Sequence, residues 1–201
     1  MSSTKRTLYS QPPRVSASEI GLSAGIQLAA VAVRDWKIVD TFERKILFDV
    51  AKCDPAALEL NGFDAERWAT EGAHEADVCQ SFKRFLDTYA DLRLTSKKGR
   101  PYRAARMAGH NVVTFDVPRL RRMMDAAEVG WWPGCWWYPL DTYQLAIWHF
   151  ATHPEISAPK DFTLQELASH LDVPMEGAAH EALADVRLTV RIAQAIVTGG
   201  I

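Results

Sequence analysis

The chain has 201 residues, 48% of them hydrophobic and 24% charged, and a formal net charge of −2. That length suits one domain with a two-sided core. The near-neutral balance excludes a protein that coats nucleic acid by bulk charge, while leaving room for a local basic groove.

In chain order, the polar arm of residues 1–25 contains Pro12 and Pro13 and reads as a loose lead-in, with one short strand at Thr7–Tyr9. Its opening, MSSTKRTLYSQPPR, lacks the apolar stretch of a secretory signal. Residues 26–201 read as a single domain. The run Ile26 to Val33 is apolar and β-rich. It contains Gln27 and is too short to span a bilayer, so no membrane partner is expected. Arg34-Asp35-Trp36-Lys37 reads as a turn, and Ile38 to Phe48 alternates in polarity, so the two segments make an antiparallel hairpin. Asp54-Pro55 starts a short helix. Residues 75–90 place Val78, Phe82, Phe85, Leu86 and Tyr89 at helical spacing. Residues 97–106, KKGRPYRAAR, read as a basic loop, Met107 to Val113 as a strand and 117–127 as a helix. An aromatic loop follows at 131–139, then helices over Leu140–Phe150, 163–171 and 181–197. A hairpin followed by helices mixed with single strands implies an α/β domain with a mixed sheet flanked by helices. Cys53, Cys79 and Cys135 are odd in number and widely spaced, so neither a disulfide framework nor a zinc site is expected and a reducing, cytoplasmic setting follows.

Two stretches carry chemistry. Ala108-Gly109-His110-Asn111-Val112-Val113-Thr114-Phe115-Asp116 delivers a strand end to a helix start, where Asp116 can cap backbone N–H groups or ligate a metal. Ala179-His180-Glu181-Ala182-Leu183-Ala184-Asp185 puts an imidazole at a helix entrance and a carboxylate one turn on. An imidazole with a near-neutral pKa can take a proton from water. These stretches resemble the second motif (GHN followed by FD) and the third motif (AHxAxxD) of the DnaQ-like DEDDh 3′–5′ exonucleases. Asn61-Gly62-Phe63 followed by Asp64 resembles that family's helix entry before the second motif, and Leu140-Asp141-Thr142 its D-T segment, with Asp141 read as a helix N-cap. The resemblance covers roughly residues 26–197. It implies a ribonuclease H-like fold, a site for Mg²⁺ or Mn²⁺ held by Asp116 and Asp185, His180 as general base, and a single-stranded or 3′-overhang nucleic acid as partner.

The family's first motif, D-x-E, has no clear counterpart. Three registers place Ser16 and Ser18, or Ala17 and Glu19, or Ser10 and Pro12 at the acid positions. The segment implies either an enzyme completed by Glu19 as a catalytic acid or an exonuclease-like module without catalysis. Serine is a poor ligand for a hard cation, so the site is expected to bind two ions, one or none.

Lys97, Lys98, Arg100, Arg103 and Arg106 cluster before the second motif, and Arg119, Arg121 and Arg122 follow it. Phosphate contacts favour such clusters, with solvated surface charge the plainer reading. The resemblance adds Asn111 and Phe63 beside the bound strand. Trp131, Trp132, Trp136, Trp137 and Tyr138 can stack on bases, cover the core or form a protein interface. His149 and His153 read as structural.

Overall fold

A computed structural model describes residues 27–60, 62–130, 139–176 and 181–199. The arm, with Glu19, and the aromatic segment Trp131–Tyr138 lie outside them.

Strands β1 (Gln27–Arg34) and β2 (Lys37–Ile46) form the expected antiparallel hairpin. Its turn places Asp35 and Trp36 at φ 49° and 64°, a primed turn whose twist matches that of paired strands. A register shift between Ala32 and Val33 leaves Val39 as the extra residue of a bulge. Every residue of β1 except Arg34 is buried. Alternate side chains therefore face two cores. Leu28 and Ala30 join Phe42, Phe82, Met107 and Leu120 on one side. Ala29, Val31 and Val33 meet Ala182, Val186 and Val190 on the other.

The helices follow the sequence closely. Helix α1 (Pro55–Leu60) starts after Asp54, whose carboxylate accepts from the Ala56 N–H at 2.9 Å. Helix α2 (Ala65–Glu71) is capped by Asp64, which accepts from the Arg67 N–H at 2.8 Å. Strand β3 (Gly72–Ala73) then pairs parallel to the end of β2, making a mixed three-stranded sheet. Helix α3 (Glu75–Thr88) buries Val78, Cys79, Phe82 and Leu86. Burial pushes the Cys79 thiol up to about 11, aided by Glu75, so it packs as a hydrophobe.

The basic segment expected as a loop is the turn and return strand of a hairpin, β4 (Leu92–Thr95) with β5 (Pro101–Ala104). Ser96 accepts a backbone bond from Gly99 at 2.9 Å, and Gly99 sits at φ 74°. Glycine takes that left-handed position at no steric cost, which closes a three-residue loop. Pro101 is compatible with a strand because it is the first strand residue.

The strand expected over Met107 to Val113 shrinks to β6 (Ala108–Gly109), which pairs parallel with β7 (Leu140–Asp141). Helix α4 (Asp116–Ala126) follows β6 after a turn, and α5 (Thr142–Thr152) follows β7 directly. Helices α6 (Leu164–His170) and α7 (Ala182–Thr198) pack with α5 around Phe150, Leu167, Leu188 and Ile192. The observed architecture is the expected α/β arrangement, with helices against a mixed sheet. Among the described residues no helix is long and apolar enough to cross a membrane.

Gly72 joins α2 to β3 under close packing. A Cβ there would press on the Trp68 carbonyl oxygen and lie 2.7 Å from Leu47 Cδ2. Backbone cannot yield as a flexible side chain does. Gly72→Ala is expected to cost about 1–3 kcal/mol, a fall of about 3–10 °C in Tm for a chain of this size, read by thermal circular dichroism.

Candidate active site

The end of β6 opens onto the candidate site. After Gly109 the chain leaves the strand at Asn111, which has a left-handed backbone at φ 56°. Asparagine tolerates this conformation better than most residues. The backbone donors that a longer strand would have paired go instead to one side chain. Asp141 accepts from the Asn111 N–H at 2.9 Å and the Val113 N–H at 3.3 Å. It also accepts from the Tyr143 N–H at 3.0 Å, so it caps α5 as expected. One carboxylate thus fastens the second-motif turn to the next strand–helix unit. This explains why the strand is shorter than its sequence suggested.

His110 is pinned just before the turn. Its Nε2 lies 2.9 Å from the Phe162 carbonyl and its Nδ1 3.0 Å from Thr142 Oγ1. A carbonyl only accepts, so Nε2 carries the proton. The neutral ring then needs Nδ1 to accept from the Thr142 hydroxyl, in competition with the longer 3.2 Å bond from Thr142 to the Gly109 carbonyl. Burial lowers the His110 pKa, opposed by the Phe162 carbonyl and the Asp141 charge. His110 is therefore a structural brace in its neutral form.

Asp116 is the first residue of α4 and is only 9% exposed. Asp185 is half-buried in the first turn of α7, its N–H bonded to the Glu181 carbonyl at 3.1 Å. Both carboxylates sit where the helix dipole favours negative charge. Their hard oxygens suit Mg²⁺ or Mn²⁺ in kind. In number they fall short, because among the described residues no three His, Cys, Asp or Glu side chains come together as a metal-holding group. His180 and Glu19, the other predicted catalytic residues, lie outside the described residues.

The nucleic-acid candidates are placed separately. Asn111 is half-buried at the turn itself. Arg119 lies over the Phe115 ring at 5.6 Å, one turn into α4. Phe63 packs in an aromatic cluster, 5.2 Å from Phe48 and 5.3 Å from Trp68 between ring centres. Lys97, Lys98, Arg100 and Arg103 are exposed on the β4–β5 hairpin. His149, in the last turn of α5, stacks on His153 just past its end at 4.6 Å between ring centres. The brace formed by Asp141 and His110 was missed in the sequence. The N-cap signal marked Asp141, but nothing local pointed to Asn111 and Val113 as its further donors.

Two measurements follow from this geometry. Asp141→Ala leaves three N–H groups without their acceptor and is expected to lower stability by about 2–4 kcal/mol, with Asp141→Asn costing less. Chemical denaturation of both variants tests this. His110 resists protonation in the folded state, so as pH falls below about 6.5 the unfolded chain binds the extra proton. Stability is then lost from about pH 6.5 down to the depressed folded pKa. His110→Gln should flatten that part of the denaturation-midpoint profile between pH 7.5 and 5.

Comparisons with known proteins agree with this architecture. No family model matches the chain, and no curated protein sequence matches it. Solved structures do. Exonuclease I superimposes with a TM-score of 0.67 over 86% of this chain at 19% identity. A 3′-exonuclease that recognises the 3′ end of a histone mRNA stem-loop gives 0.63 over 87% at 13% identity. A zinc-bound form of the E. coli exonuclease I–ssDNA complex gives 0.66 over 86% at 18% identity. The chain spans only 37%, 56% and 36% of those proteins' lengths, respectively. Over most of its length the chain therefore has the ribonuclease H-like α/β fold of these solved exonuclease structures.

Proposed function

We propose that this chain recognises 3′ ends of nucleic acid and hydrolyses the terminal phosphodiester in a reducing, cytoplasmic setting. The observation that carries the proposal is the path from β6 through the braced Asn111 turn to Asp116, whose nearly buried carboxylate opens α4. A carboxylate fixed in this way can meet a ligand without first being ordered. Asp116 and Asp185 would hold Mg²⁺ or Mn²⁺, with Glu19 as the acid contributed by the arm. Such an ion, when bound, supplies Lewis-acid polarisation of the phosphate. His180 takes a proton from the attacking water on a ring nitrogen. Asn111, Phe63 and Arg119 contact the terminal nucleotides, and the hairpin bases contact phosphate oxygens.

The test is degradation of 5′-labelled single-stranded and 3′-overhang oligonucleotides with Mg²⁺ or Mn²⁺. A metal-dependent ladder is expected. Asp116→Asn and Asp185→Asn should each reduce it roughly a thousandfold, equivalent to about 4 kcal/mol of transition-state stabilisation. Loss on Glu19→Gln would support the arm's acid. Absence of a ladder, with binding retained, would overturn hydrolysis and leave a non-catalytic nucleic-acid module. Absence of both would redirect attention to a protein partner at Trp131–Tyr138.

A further inference from the structure

The β4–β5 hairpin concentrates charge in a way its fold does not require. From Leu92 to Arg106 there are six basic residues and no acidic one, in a chain whose net charge is −2. The register sets Arg93 directly opposite Arg103, and both are exposed. Like charges placed directly across a strand pair repel. The other face holds Leu92, Leu94, Tyr102 and Ala104, which are buried or half-buried. The turn adds Lys97, Lys98 and Arg100 at the tip. Arg106, just past β5, is half-buried with its Nε fully buried and without a hydrogen-bond partner. Among the described residues none of these six bases forms an ion pair. The stem is held firmly: Arg34, at the end of β1, binds Asp91 at 3.0 Å and the Tyr89 carbonyl at 3.3 Å, immediately before β4.

Basic side chains commonly guard sheet edges against aggregation. A guard needs one or two dispersed lysines. It does not call for facing arginines on a two-stranded ribbon, which is marginal by itself. We infer that the ribbon is a clamp for a nucleic-acid phosphate backbone, with Arg93 and Arg103 sharing a phosphate between them. This deepens the function proposed above by adding an affinity surface separate from the chemistry. Four residues at about 3.3 Å each give a ribbon about 13 Å long. Phosphates of one duplex strand recur every ~3.4 Å of helix axis, so a ribbon laid along that axis spans about four of them. The contact is to backbone, so it carries no sequence preference.

Binding is measured with the full chain in EDTA, where no metal-dependent cleavage occurs. The probe is a 5′-fluorescein single-stranded DNA 20-mer, followed by anisotropy from 50 to 400 mM salt. Arg93→Gln/Arg103→Gln should weaken binding about tenfold at low salt. It should also flatten the slope of log K against log[salt] by about 0.7, the loss of one phosphate contact on a single strand. Its Tm should stay level or rise, because a repulsion has been removed. Arg93→Lys/Arg103→Lys keeps the charge and should keep the slope. An unchanged slope in the glutamine variant would overturn the inference, as would a lysine variant that behaves like it. Equal affinity for polyglutamate of the same charge would also overturn it, reassigning the ribbon to non-nucleic polyanions. Because the readout needs no cleavage, a catalytically silent chain could still show the clamp, and an active one could fail to.

Discussion

Burial of β1 on both faces is the constraint from which the other elements take their places. A strand with one wet face can be covered by a single layer, whereas this one needs apolar partners above and below. Leu28 and Ala30 recruit α3 and α4 through Phe82 and Leu120. Ala29, Val31 and Val33 recruit α7. Helix α7 then has a second face to cover, and Leu188 and Ile192 bring in α5 and α6. Asp116 and Asp185 each belong to a helix docked on a different side of that strand. The position of the candidate site is thus a by-product of how one strand is sandwiched.

The second organising contact is electrostatic. Asp141 satisfies donors from the β6–α4 turn and from the start of its own helix. A backbone that leaves a sheet early exposes N–H groups that must find acceptors, and a charged acceptor forms stronger hydrogen bonds than a neutral one. His110 completes the arrangement by spanning Thr142 and the Phe162 carbonyl. The loop carrying Asn111 is therefore tied to the segment before α6 as well as to β7. A half-buried neutral imidazole suits that role, because it offers one donor and one acceptor without the cost of desolvating a charge.

Much of this was legible in the residues. Asp54 and Asp64 marked the starts of their helices, Asp141 read as a cap, and the apolar spacing of α3 named its buried face. Those signals are local. The hairpin of β1 and β2 was also legible, because its turn and polarity pattern adjoin. The β4–β5 hairpin was not, since Lys97-Lys98-Gly99-Arg100-Pro101 carries loop composition, and the alternation in Leu92-Arg93-Leu94 is too short to outweigh it. The length of β6 was misjudged for a different reason. Val112 and Val113 favour a strand, but tertiary contacts from Asp141, 28 or more residues away in sequence, end it. At the site, the motif residues were found by resemblance, and the side chains that brace them were not.

The ribbon's geometry also bears on how such a surface can change over time. Leu92 and Ala104 are cross-strand partners, so the chain leaves and rejoins the body of the protein at nearly the same point. Lengthening both strands by two residues would add one outward pair and one inward pair without moving the core. A one-residue insertion in a single strand would instead reverse the inward and outward faces beyond it. The hairpin is therefore an adjustable module, extended in steps of two, whose reach and charge can drift independently of the residues around Asp116.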